Sequence, residues 1–203
     1  MITREEFDDA LSELVNVGVG RAAASLSSMV KERIDLSVPK VVTISFKELS
    51  FHLGLEQELN EDPNVSIVQQ PFGGKVGGTA SILFPVSSAR KLVGLLTDGA
   101  LSSEELDLEM EAALTEVGNI LINGVMGTIG NITGMDINFQ LPEYLKCSTG
   151  ELEHTFQDRE LMLAMVLIAI SGQEIKGHLI LLFDLSSLES LQNFVEHMYE
   201  GRD

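Results

Sequence analysis

The chain has 203 residues, of which 44% are apolar, so as one domain it would bury about 70% of the surface that its unfolded chain exposes. Thirteen Lys and Arg against 31 Asp and Glu give a formal net charge of −18, which argues against a nucleic-acid partner or an anionic membrane surface. The longest apolar run, residues 161–170, is half as long as the ~20 residues that span a bilayer, and the acidic start does not match a secretion signal, so we expect a soluble cytoplasmic protein without membrane insertion.

Helix signals occur at four places along the chain. Three capping boxes, in which a Ser or Thr and a Glu three residues later bond the free N–H groups of a helix start, begin at Thr3, Ser102 and Ser186. Apolar residues follow the first two boxes at helical spacing and predict long helices there. The predicted helices cover about residues 4–31, 87–97, 104–131 and 186–200.

Runs rich in β-branched and aromatic residues lie between the helices and predict strands. These runs cover residues 41–46, 65–69, 79–84, 162–170 and 178–183. Each half of the chain is predicted to contain a helix, three strands and a helix. We therefore expect an α+β fold with one sheet of about six largely antiparallel strands, two long equivalent helices and shorter flanking helices.

The two long helices belong to an internal repeat. A segment that starts at Asp9 aligns with one that starts at Ala112, and in both of them Glu-x-x-Asn is followed by 22 residues and Pro. A second pair of segments, from Gly78 and from Gly177, aligns as well. Because no linker rich in Pro, Gly or Ser separates the copies, we expect a single domain over residues 1–203. Its two repeats, about 1–100 and 101–203, are expected to be related by a pseudo-two-fold axis.

The repeated polar residues stand in rows on the predicted helices. Asp9, Glu13 and Asn16 are spaced i, i+4 and i+7 and share one face, and Glu116 and Asn119 repeat the last two positions. A single Glu/Asn pair on a solvated face is ordinary. However, Asn prefers caps and turns to helix interiors, so its occurrence at the same phase in both copies indicates a function.

Small residues follow each Asn, among them Gly18, Gly20, Gly118, Gly124 and Gly127. Glycine costs a helix interior roughly 1 kcal/mol relative to alanine, so something must approach these helices closely. One interpretation is tight packing of the helices on each other or on the sheet. The other is a shallow helix face on which another protein docks around the Glu/Asn pair.

These residues resemble the CheC, CheX and FliY family of chemotaxis response-regulator phosphatases. The family motif is Asp or Ser, three residues, Glu, two residues, Asn, 21 or 22 residues, and Pro. The first copy matches it with Asp9, Glu13, Asn16 and Pro39. The second copy has Glu116, Asn119 and Pro142, with Ala112 at the first position. Two Glu/Asn motifs, without the extra C-terminal domain expected of FliY, resemble CheC more than CheX.

The resemblance implies hydrolysis of the phosphoaspartate of a CheY-like response regulator. That reaction needs chiefly position and charge, and the Mg²⁺ and a lysine would belong to the regulator, so no cofactor is expected on this chain. Asn16 and Asn119 would hold the attacking water, while Glu13 and Glu116 would pair with the regulator's lysine. Asp9 would support the first site, which we therefore expect to contribute more than the second.

One other function is compatible with the resemblance, and two others fit the residues less well. The non-catalytic alternative is an adaptor that binds the phosphorylated regulator or a CheD-like receptor deamidase, the latter through helix 186–200. The one hydrolase-like pair, Ser88-x-x-Lys91, is explained by capping of a helix that follows Pro85. A metal site is not expected, because the spacing of the histidines matches no zinc motif; they are His52, His154, His178 and His197.

Overall fold

The computed structural model describes residues 3–31, 33–38, 41–45, 64–97, 103–148, 151–152, 160–170 and 172–200. The helices are α1 (Arg4–Val30), α2 (Val86–Leu96), α3 (Ser103–Thr133) and α4 (Leu185–Glu200). The strands are β1 (Ile34–Ser37), β2 (Val41–Ser45), β3 (Asn64–Gly74), β4 (Gly78–Pro85), β5 (Ile137–Phe139), β6 (Glu143–Ser148), β7 (Glu160–Ile170) and β8 (Gln173–Phe183). All four helices lie within two residues of their predicted bounds.

The strands form one sheet in the order β1-β7-β8-β4-β3-β5, with β2 also paired to β7 and β6 also paired to β3. Every pairing described is antiparallel. The α+β class and the antiparallel sheet are confirmed, and the described sheet has eight strands where about six were predicted. The strands missing from the prediction are β1, β5 and β6, which are short and largely exposed and so lack a clear apolar alternation.

The two halves of the chain exchange their short strands. Strands β1 and β2 of the first half pair with β7, whereas β5 and β6 of the second half pair with β3. Strands β4 and β8 pair with each other in the middle of the sheet. Reciprocal pairing of this kind is what a two-fold axis between β4 and β8 would produce. It supports the predicted duplication, while the superposition of the two halves stays a prediction.

Helix starts follow the predicted caps in one place and not in another. At α1 the Thr3 hydroxyl accepts from the Glu6 N–H at 3.2 Å, and the Glu6 carboxylate accepts from the Thr3 N–H at 2.7 Å. The box predicted at Ser186 is wrong, because α4 already begins at Leu185 and Ser186 lies inside its first turn. Ser102 lies outside the described residues.

The helices cover one face of the sheet, where one apolar core joins them to alternate residues of the strands. The α1–α3 contact is close: a Cβ built on Gly18 would lie 2.5 Å from the Cα of Val125, and one on Gly124 would lie 2.9 Å from the Cβ of Ala22. Tight helix packing therefore explains these two glycines. It does not explain Gly20, where an added Cβ would meet no described atom within 4 Å.

Helix α3 is long enough and apolar enough to cross a membrane by length and composition, over residues 108–133. Half of its most apolar window is buried inside the protein. The buried side consists of core residues that pack against α1 and the sheet, among them Leu114, Leu121 and Val125. These contacts are those of a core helix, and α3 is the only described helix that passes the length and hydropathy test.

Candidate functional site

Both Glu-x-x-Asn motifs lie on the outer sides of the long helices. Asp9, Glu13 and Asn16 are exposed on α1, while on α3 Glu116 is exposed and Asn119 is half-buried. Within the described residues neither Glu13 nor Glu116 forms a hydrogen bond or an ion pair. Both carboxylates are therefore free to meet a cation on another molecule.

The amide of Asn16 bonds at both ends. Its Nδ2 donates to the Ser12 carbonyl at 2.9 Å, and its Oδ1 accepts from the Val38 N–H at 3.3 Å. Val38 directly precedes the motif proline, Pro39, which itself lies outside the described residues. This bond gives a physical reason for the 22 residues between Asn16 and Pro39, because the chain returns from α1 to the side chain of Asn16 just before the proline.

The amide of Asn119 bonds differently. Its Oδ1 accepts from Asn123 Nδ2 at 2.7 Å and from Gln70 Nε2 at 3.3 Å. Gln70 lies on β3 with 2% of its surface exposed, and its Nε2 also donates to the Gln140 carbonyl at 3.0 Å. Among the described residues the Nδ2 of Asn119 has no hydrogen-bond partner. The nitrogen is thus available to a ligand while the oxygen is held.

The second motif proline lies in the segment that this network ties down. Pro142 is half-buried between β5 and β6, two residues after Gln140. The N–H of Gln140 donates to the Pro71 carbonyl at 2.9 Å, so both backbone polar groups of Gln140 bond to β3 residues. Because proline restricts the residue before it to extended conformations, Pro142 helps to set the path of the chain next to Asn119.

Two residues of this network, Gln70 and Asn123, are missing from the sequence-based prediction. Asn123 carries a usable signal, since it follows Asn119 by four residues and so stands on the same helix face. Gln70 carries little, because it is one polar residue on a strand face that also bears the core residues Val68 and Phe72. Its contact with Asn119 arises from packing of α3 on the sheet.

The arrangement offers amides and carboxylates rather than a nucleophile with a base. Within the described residues no hydrogen bond joins Ser88 to Lys91, whose Nζ donates to the Glu174 carbonyl at 3.1 Å. The capping role predicted for Ser88 is wrong, because α2 begins at Val86 after Pro85 and has no side-chain cap. Across the described ranges, no group of three or more His, Cys, Asp and Glu side chains is gathered as a metal site requires. Asn cannot titrate, so these sites can orient a molecule such as water without accepting its proton.

A model of the CheC-like family matches residues 7–43, which include the first motif. The CheC1 protein of Halobacterium salinarum is 27% identical over 158 residues, 77% of each chain. The CheY-P phosphatase CheC of Bacillus subtilis is 25% identical over 199 residues, 93% of each chain. By both comparisons the chain is similar to the CheC-like family.

Solved structures share the fold of this chain. FliY of Thermotoga maritima has a TM-score of 0.73 at 18% identity, over 97% of this chain and 99% of that one. A chain of the CheX–CheY–BeF3–Mg²⁺ complex from Borrelia burgdorferi has a TM-score of 0.51 at 18% identity, over 82% of this chain and 95% of that one. At such identities the likeness concerns the fold alone.

Exposed apolar side chains accompany both motifs. Val17, next to Asn16, is 48% exposed. Leu141, between Gln140 and Pro142, is 85% exposed. Large apolar groups at such positions provide contact area for a partner protein beside the polar motif residues.

Proposed function

We propose that this CheC-like protein hydrolyses the phosphoaspartate of a CheY-like response regulator, in the cytoplasm. The observation that carries the proposal is the repeated surface pair: a glutamate without a partner among the described residues, and one helical turn later an asparagine whose amide is held by neighbours. The printed activity of the Bacillus subtilis relative, CheY-P phosphatase, supports the substrate. The Borrelia burgdorferi complex, which contains a CheX and a CheY, supports the type of partner.

In the proposed reaction the asparagine orders the attacking water. The water oxygen forms a bond to phosphorus in line with the aspartyl oxygen, and the P–O bond to the aspartate breaks. The aspartate leaves as a carboxylate, and the proton lost by the water ends on phosphate or in solvent. Because Asn16 and Asn119 donate and accept hydrogen bonds without titrating, their contribution is the position of the water.

The glutamates supply the docking contact in this proposal. Glu13 and Glu116 are exposed and free of intramolecular partners within the described chain, so a lysine on the regulator can reach either one. Such a charge-assisted bond both attracts the partner and sets its register against the asparagine. Asp9 supports the first pair, and Pro39 and Pro142 support the segments that return to each asparagine.

Multiple turnover distinguishes this function from the alternative, an adaptor that only sequesters the phosphorylated regulator. A tenfold excess of purified, phosphorylated candidate regulator is mixed with the protein, and the decay of the acyl phosphate is followed. A phosphatase accelerates the decay of the whole population. An adaptor leaves most of the excess to decay at its own rate, and that result with every candidate regulator would contradict the proposal.

A further inference from the structure

We infer that Gln70 and Asn123 are positioning residues that fix the amide of Asn119, with its oxygen turned toward the protein and its nitrogen left for the attacking water. The inference rests on the proposed function and extends it to residues outside the Glu/Asn motif. It starts from a chain of hydrogen bonds that joins Gln140, Gln70, Asn119 and Asn123.

A backbone carbonyl determines the direction of this chain. The Gln140 carbonyl can only accept, so Gln70 must turn its NH2 group toward it. The other hydrogen of the same NH2 group goes to Asn119, which must therefore present Oδ1. Asn123 donates to that same oxygen at 2.7 Å. If the Asn119 amide were reversed, its NH2 group would face the NH2 group of Gln70, so the contact with Gln70 selects one orientation of Asn119, in which Asn123 can also donate to Oδ1.

The cost of the arrangement argues that it serves more than folding. The Oε1 of Gln70 is buried and has no hydrogen-bond partner among the described residues. A buried carbonyl oxygen without a partner is unfavourable, and an apolar side chain of similar shape would avoid the loss.

The first half of the chain has that apolar side chain. Val41 on β2 pairs with Ala164, which lies two residues before Val166 on β7. Its counterpart in the repeat, Tyr144 on β6, pairs with Val68, which lies two residues before Gln70 on β3. By this register Val166 stands where the second half has Gln70, and by the alignment of Gly78 with Gly177 it is Ala164. Both residues are buried and apolar. The oriented network is therefore a property of the second site, and Asn16 instead bonds to backbone groups at both ends of its amide.

The test compares Gln70→Val in two backgrounds, each with one site. Asn16→Ala leaves only the second site, and Asn119→Ala leaves only the first. The readouts are the single-turnover hydrolysis rate at saturating protein and the affinity for a regulator carrying BeF3. Gln69→Val is the matched control, because Gln69 is the neighbouring residue on β3 and points to the opposite face of the sheet, with Val65 and Ile67.

We expect Gln70→Val to lower the hydrolysis rate about tenfold in the Asn16→Ala background and to leave the rate unchanged in the Asn119→Ala background. Affinity should change in neither. Gln70→Glu should lower the second-site rate more than Gln70→Val does. The carboxylate would face the Gln140 carbonyl, which can only accept, and it would accept from the Asn119 Nδ2 and so turn that nitrogen toward the protein. Asn123→Ala, at a half-buried position of α3, gives a second variant that does not disturb the strand and should act in the same direction.

Three results would overturn the assignment. The first is an unchanged second-site rate for Gln70→Val and Asn123→Ala. The second is an equal loss in both backgrounds, which would indicate a general structural effect. The third is a loss of affinity that accounts for the loss of rate. Absence of hydrolysis by the unsubstituted protein would instead overturn the proposed function, and the assignment with it.

Discussion

At the level of single residues, the two motif asparagines use their amides in different ways. The Nδ2 of Asn16 is engaged with the Ser12 carbonyl, whereas the Nδ2 of Asn119 has no partner within the described chain. Asn16 therefore has one amide hydrogen left to donate to a water and is already oriented by the Ser12 carbonyl, whereas Asn119 has both of its amide hydrogens left. The sequence predicts the stronger site at Asn16 because of Asp9, but these contacts give a physical reason to expect it at Asn119.

The separate duties of Glu13 and Asn16 lead to a first prediction. In an Asn119→Ala/Glu116→Gln background, in which the second site lacks its docking glutamate, Glu13→Gln should weaken binding of the BeF3-carrying regulator by about 1.5–3 kcal/mol, because a charge-assisted bond to its lysine is lost. Isothermal titration calorimetry measures this change. Glu5→Gln, an exposed glutamate at the start of the same helix, is the control and should bind normally. A Glu13→Gln protein that binds normally yet cannot turn over would contradict the docking role.

A second prediction concerns His178 on β8, which is 2% exposed and whose Nδ1 has no partner among the described residues. Burial, with a smaller effect of Lys176, lowers the pKa of His178 to about 4. As the pH falls below about 6.5, the unfolded chain takes up this proton before the folded one, so stability falls until the pH reaches about 4. The loss amounts to about 3 kcal/mol over that window.

Urea unfolding at several pH values between 7.5 and 4.5 tests this statement. His178→Leu should remove this share of the pH dependence, because the leucine takes up no proton in either state. A variant whose free energy of unfolding falls with pH as steeply as that of the unsubstituted protein would show that other groups cause the dependence.

At the level of elements, the crossing of α1 and α3 leads to a third prediction. Gly18→Ala should lower the free energy of unfolding by about 1–3 kcal/mol, because the new methyl group meets the backbone of Val125. Gly20→Ala, on the same helix, has open space and should raise it by up to about 1 kcal/mol, the helix propensity of alanine over glycine. Urea unfolding measures both, and changes of the same sign would contradict the described crossing.

The elements also show which features a single sequence can predict. Long helices with apolar periodicity and caps were predicted within two residues, because their signals are local. Strand β1 pairs with β7, and strands β5 and β6 pair with β3, so each of them depends on a strand that is distant in the chain. The local alternation of apolar residues therefore does not predict these three strands. The Glu/Asn motif was found because it occurs twice, whereas Gln70 joins Asn119 only through packing of α3 on β3. Close packing accounts for Gly18, whereas the open space beside Gly20 fits the second interpretation, a docking face.

At the level of the whole molecule, the exchange of strands between halves leads to a fourth prediction. Without β7, strands β1 and β2 have no partner strand, and without β3 neither do β5 and β6. Residues 1–100 alone, or 101–203 alone, should therefore lack a cooperative unfolding transition as a monomer, and mixing the two fragments should restore it. Circular dichroism with size-exclusion chromatography tests this, and a monomeric fragment that folds cooperatively would contradict it.

The measurement that tests the proposed chemistry most directly is the decay of regulator acyl phosphate with four proteins: unsubstituted, Asn16→Ala, Asn119→Ala and the double variant. Each reaction is run at single turnover, and binding of the BeF3-carrying regulator is measured in parallel. Because an interaction made only in the transition state affects the rate rather than binding, the double variant should bind normally and leave the decay at its unassisted rate. Each single variant should retain activity, with the larger loss for Asn119→Ala. A double variant that still accelerates the decay would contradict the account.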